Sequence, residues 1–379
     1  MSQFLDDQPP LGQGDAHIAA HLFQPARLTL ARELRGLSKA QLAEAVQKTP
    51  SAISQFESGR TRPDALTVRA MASALAVRIG FFAKSGGAPL ISTDNCYFRS
   101  LRSASQRDRR SLLAVGTILC DLVNLLEDHV DLPREEVTTV ASSANSAEEI
   151  ENVAVEVRRK WGLGLGPIPT IVKHLESKGV IVTYVSDHRE QVDAFSTWND
   201  NRPLVFLVTA KGSRSRTRFD AAHELGHLVL HADIAAASPE AEREANRFAS
   251  AFLLPRDSFL RECPNYLNWD HLYELKRRWR VSVAAIVKRG FDLGRLSEAS
   301  YRRAFIHLNQ TGQRHGETRE EPEAEFPLTL RRALDTVSRE YPLAVICEHL
   351  GIYEKDLAEL LATFSPSPAV GSIVTAEAT

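Results

Sequence analysis

The segment His223-Glu224-Leu225-Gly226-His227 carries residues that could do hydrolytic chemistry. On an α-helix, two histidines four apart share a face and reach one metal ion. Zinc suits them, because it accepts imidazole and carboxylate donors and, in catalytic sites, keeps one position open beside three protein ligands. Such an ion makes water nucleophilic at neutral pH. Glu224 lies where it could take the water's proton and return it to a leaving amine. The five-residue pattern also arises on ordinary solvated helices. Here Leu225, Leu228, Val229 and Leu230 surround it, and polar groups on an apolar helix are costly to bury without partners.

The third ligand must come from another element. Glu240–Pro255 has helical periodicity, with Ala245, Phe248, Ala249 and Phe252 as its apolar stripe. Glu242 stands at the edge of that stripe and is the expected ligand; Glu244, nearly opposite, is its rival. Small Ala245 and Ala249 would let this helix approach the first closely. Asn246, one turn past Glu242, is expected to hydrogen-bond a ligating histidine from outside. His231 reads as helix-end or pocket lining rather than as a ligand.

A second chemistry resides in residues 25–80. Ser38 with Gln41 forms a capping box for a helix from Lys39 to Val46. Gln47-Lys48 is the turn. Thr49 caps the next helix, Pro50 takes its first position, and Gly59 ends it. Ile53 and Phe56 face inward, whereas Ser51, Ala52, Ser54 and Gln55 face out. This is helix-turn-helix geometry, whose second helix enters the major groove. Gln55 suits an adenine edge, and Gln41 and Arg60 or Arg62 suit phosphates. The segment holds nine Lys/Arg against four Asp/Glu in a chain of net charge −2, so affinity for nucleic acid is local. The basic run Phe98-Arg99-Ser100-Leu101-Arg102, continued by Arg107, Arg109 and Arg110, either extends the phosphate footprint or is a solvated helix start.

These segments need scaffolds. A length of 379 residues implies two or three domains. Residues 1–24 read as a flexible tail, 25–85 as the helix-turn-helix domain and 86–148 as a helical connector. Residues 149–312 form the domain of the metal motif, with strands expected at Val180–Val185 and Leu204–Thr209. Residues 313–325 read as a polar linker and 326–379 as a C-terminal helical segment that matches no motif. The expected fold class is mainly α with a small β-sheet: a five-helix N-terminal domain, an α+β metal-binding domain and a C-terminal helical unit. Four dispersed cysteines argue against a disulfide scaffold and for a reducing, cytoplasmic setting. The first residues lack a signal-peptide pattern, and no apolar run is long enough to span a membrane as a helix.

The stretch RTRFDAAHELGHLVLH with the downstream EREANRFASAFLLP resembles the ImmA/IrrE family of bacterial zinc metallopeptidases. The likeness runs from about Glu149 to Gly312 and includes Trp279–Ser297. It implies a zincin-like, gluzincin-type fold with zinc on His223, His227 and Glu242, and Glu224 as general base. Asp220 departs from the family's usual small hydroxyl or apolar residue, and Asp193-Ala194 from a usual glycine turn. Residues 25–80 resemble the XRE family of helix-turn-helix regulators, with Gln47 where a turn glycine is usual. Together the resemblances imply a DNA-binding transcriptional regulator with a zinc endopeptidase domain. Its expected partners are operator DNA, a second copy of the chain, and an XRE-type repressor, separate or its own, cleaved in a stress or phage-related response. The alternative is a repressor or antitoxin-like DNA binder whose metallopeptidase-like domain only senses or docks.

Overall fold

A computed structural model of the chain describes residues 16–87, 89–91, 97–98, 105–140, 146–185, 194–208, 213–231, 238–313 and 322–362. Arg99 to Arg102 and Asp193, singled out above, lie outside them. The chain divides into two compact units. One comprises Met1–Thr93, Arg102–Leu132 and Leu328–Thr379; the other comprises Asp94–Leu101 and Pro133–Pro327.

The first unit begins with α1 (Ala16–His21), α2 (Pro25–Leu34), α3 (Lys39–Ala45), α4 (Pro50–Glu57), α5 (Ala65–Leu75) and α6 (Gln106–Glu127). Their starts are written locally. Ser38 and Gln41 form the reciprocal capping box of α3, Thr49 Oγ1 accepts from the Ala52 amide, and Asp64 accepts from the Thr67 amide at 2.7 Å. Leu28, Leu42, Ile53, Val68, Met71 and Leu75 fill the core. The five-helix bundle includes α1, within the stretch expected as a tail: buried Ala16, Ala19 and Phe23 hold it in place. A six-residue helix whose buried residues are two alanines gives little periodic signal. The connector divides as well, because α6 packs along α2 within this unit.

The second unit is α+β. Its elements are β1 (Tyr97–Phe98), α7 (Ala147–Lys160), α8 (Ile171–Ser177), β2 (Ile181–Val185), β3 (Ala194–Asn199), β4 (Arg202–Val208), α9 (Arg214–Leu230) and α10 (Pro239–Leu253). There follow α11 (Arg256–Glu262), α12 (Trp269–Trp279), α13 (Val283–Asp292) and α14 (Glu298–Gln310). The sheet order is β1-β3-β4-β2, with β2 parallel to β4 and the other two pairings antiparallel. Two strands stand where they were expected. β3 was not anticipated; it leads into β4 through the tight turn Asp200-Asn201, with Asp200 at φ 51°. Helix α9 packs on β3 and β4 and, across its other face, on α10.

The chain then returns to the first unit with α15 (Thr329–Val337), α16 (Leu343–Leu350) and α17 (Glu354–Ala362). The Arg78 amide donates to the Gly351 carbonyl, and Arg35 pairs with Asp356 at 2.8 Å. Gly351 has φ 73°, and a Cβ there would stand 2.7 Å from the Phe81 Cα, so glycine is required twice over. No helix among the described residues is long and apolar enough to cross a membrane.

Candidate metal centre and nucleic-acid interface

The metal motif occupies the middle of α9, where His223, Glu224 and His227 are all fully buried. Helix α10 crosses against it. Gly226 makes the close approach possible: a Cβ there would meet the Phe248 ring at 3.1 Å and the Ala245 backbone at 3.2 Å. That approach brings Glu242 to both histidines. The His223 and His227 Nε2 atoms are 3.0 Å apart. Glu242 Oε2 is 3.3 Å from His223 Nε2, and its Oε1 is 3.3 Å from His227 Nε2.

These separations fit a zinc site. Four-coordinate zinc with arms of about 2.0–2.1 Å has ligand-to-ligand edges of roughly 3.3 Å. The three donor atoms all lie within 4.8 Å of one another. Protonation states agree with the donor set. Burial pushes the His227 imidazole down to about 3, keeping it neutral. Burial would raise Glu242, but hydrogen bonds and charge from the two histidines outweigh it and hold the carboxylate down at about 2.

Two further layers surround the cluster. His227 Nδ1 lies 3.1 Å from His231 Nδ1, and His231 Nε2 lies 2.8 Å from Glu244 Oε2. Glu244, the rival ligand, therefore backs His231 instead of facing the cluster. Asn246 does not make the expected bond to a histidine: its amide donates to the Glu242 carbonyl at 2.7 Å within its own helix, a local bond that polar side chains readily form. On the other side, the Ser196 hydroxyl of β3 donates to Glu224 Oε2 at 2.7 Å. Asp220 is buried on α9, 3.9 Å from Arg216 one turn before it.

In the first unit α3 and α4 meet at Gln47, whose φ is 51°. Ser51 and Gln55 are exposed on α4; Ala52 and Ser54 are half-buried. Thr49 caps α4 and Gln41 caps α3, so each spends polar capacity on the helix start. Arg60 is exposed. Arg62 donates to the His21 carbonyl at 2.8 Å and so ties α1 to the loop after α4.

Residues 28–82 match the family model described as helix-turn-helix, and residues 175–290 match the peptidase model described as the IrrE N-terminal-like domain. The chain joins a DNA-binding helix-turn-helix domain to an IrrE-like peptidase domain. No curated protein matches it. Both resemblances read from the sequence are thereby borne out. The IrrE-like match spans α9 and α10 entirely, and the helix-turn-helix match spans α3 and α4.

His231, read from the sequence as helix-end or pocket lining one turn past His227, stands between His227 and Glu244; sequence reasoning missed Ser196. Ser196 gives no signal in the sequence, because its position beside Glu224 depends on the packing of β3 against α9.

Proposed function

We propose that this protein is a DNA-binding transcriptional regulator with a zinc-dependent endopeptidase domain. The supporting observation is the convergence of His223, His227 and Glu242 within 4.8 Å on two crossing helices, with Glu224 next in the chain. In this reading the three side chains hold Zn2+, which when bound supplies the Lewis acidity that makes water a nucleophile at neutral pH. Glu224 takes a proton on a carboxylate oxygen and returns it to the leaving amine. Ser196 fixes that carboxylate. His231 and Glu244 orient the His227 ring, and Asn246 steadies the helix turn that carries Glu242.

The helix-turn-helix domain reads operator DNA through Ser51, Ala52, Ser54 and Gln55, with Gln41, Thr49, Arg60 and Arg62 at the phosphates. Such domains dock as symmetric pairs on palindromic sites, which makes the chain a homodimer on DNA. The substrate is a protein, an XRE-type repressor encoded nearby or the chain itself, cut in a stress or phage-related response in the cytoplasm. The test is to incubate zinc-loaded protein with neighbouring XRE-type repressors. Defined fragments that disappear with Glu224→Gln support the reading. Absence of cutting, with operator binding intact in both forms, shows instead a regulator whose peptidase domain is a sensor.

A further inference from the structure

The outer edge of β3 is occupied by a strand from elsewhere in the chain. β1 is two residues long and pairs antiparallel to β3, with Tyr97 opposite Ser196 and Phe98 opposite Phe195. Tyr97 and Phe98 lie outside both family-matched stretches, which cover residues 28–82 and 175–290. Among the described residues of the matched domain β3 is therefore the last strand of the sheet, and β1 is an addition to it. The pairing is also placed beside the chemistry: Ser196, the residue opposite Tyr97, is the one whose hydroxyl donates to Glu224 Oε2 at 2.7 Å. Paired antiparallel residues have Cα atoms about 4.5–5.5 Å apart. The Tyr97 main chain thus runs one strand spacing from the residue that holds the proposed general base.

An exposed strand edge recognises extended polypeptide through main-chain hydrogen bonds, with little demand on sequence. An unprotected edge also invites unwanted pairing, and proteins cover such edges. A two-residue cover from outside the domain serves that need while using the main-chain groups an extended substrate would use. We propose that Tyr97–Phe98 occupy the outer edge of β3 in cis, so that an incoming polypeptide pairing at that edge must displace them. The proposal rests on the peptidase reading for its purpose, but its test does not require cleavage. A cis occupant lowers apparent affinity for an external peptide by the fraction of time the edge is free.

The experiment uses the full chain carrying Glu224→Gln, so that nothing is cut. The probe is a fluorescent peptide with the sequence of residues 94–101 and serine at the Cys96 position. Its binding is compared by anisotropy in that chain and in one that adds Tyr97→Pro and Phe98→Pro, since proline cannot donate to the ladder. The proline variant should bind at least about ten-fold tighter, the ratio for an edge covered nine-tenths of the time. Equal affinities, or no binding to either chain, overturn the proposal. A second readout needs no change at β1. Saturating peptide should speed hydrogen exchange at the 97–98 amides of the parent chain and slow it at 195–196; unchanged exchange overturns the proposal even if the proline variant misfolds. A chain that binds the peptide in this way yet cuts no repressor refutes the peptidase reading and leaves this one standing.

Discussion

The two candidate sites are built in opposite ways. The helix-turn-helix surface is assembled from neighbours in sequence: a capping box, a two-residue turn, a Thr-Pro helix start and a glycine stop, all within residues 38–59. Its proposed reading residues are exposed or half-buried. The metal centre places three fully buried polar residues among the apolar side chains of the second half of α9, and gathers its partners from α10 and β3. Buried polar groups are costly unless each has a partner. The first site should therefore tolerate single changes with graded losses, whereas the second should fail sharply when one member is removed.

Glu224→Gln should lower the cleavage rate about 10²–10⁴-fold, the usual contribution of general acid–base catalysis, with zinc content unchanged. Rate and zinc content measured on one preparation check this. If zinc is lost together with rate, Glu224 is structural. His231→Ala or Glu244→Gln should weaken zinc binding by about 10–100-fold, as loss of an outer partner of a ligating histidine does. Competition with a chromophoric chelator measures it, and operator affinity should not change.

Acid should separate the two regions in the metal-free chain. His227 is held low in the folded state, so its unfolded form takes up a proton first as pH falls below the ordinary histidine value of about 6.5. Stability in the unit that holds it is present above that value and is lost on acidification toward about 3. Glu242 adds the same sign below its ordinary value, down to about 2. Thermal unfolding at pH 7 and pH 5 should show the IrrE-like unit losing stability. His227→Gln should reduce that pH dependence.

On the exposed side, effects are smaller. Gln55→Ala should relax discrimination at one base pair by about 1–3 kcal/mol. Arg60→Ala should weaken all sequences alike and reduce the salt slope by about 1; binding to operator variants at several salt concentrations separates the two. Least of all, Gln47→Gly should stabilise its domain by up to about 1 kcal/mol. A non-glycine residue at positive φ costs about 1–2 kcal/mol, partly offset by glycine's greater freedom when unfolded. Chemical denaturation reads this directly.

The same contrast explains what could be read from the sequence. Ser38, Thr49, Pro50 and Gly59 act on the residues beside them, and the structure uses each as its local pattern indicates. His223, Glu224 and His227 declare themselves through helical spacing, and Glu242 through the stripe on α10. Hidden features depend on distant pairing. α1 is held by alanines too small to mark a pattern. The helices α15 to α17 join the first unit through bonds such as Arg78 to Gly351, between residues far apart in the chain. β3 carries Ser196 and Trp198 among its alternating residues and gives a weak strand signal until β4 is paired with it. Asn246 shows the limit of spacing arguments: its position toward the cluster was compatible with a histidine contact, but a carbonyl on its own helix was nearer.

Zinc binding to the full chain tests the account most directly. Metal-free protein given one equivalent of zinc and weighed by non-denaturing mass spectrometry should carry one ion per chain. The His223→Ala/His227→Ala double variant, folded and still able to bind operator, should carry none. Equal zinc on both proteins would contradict the assignment of the centre to α9 and α10.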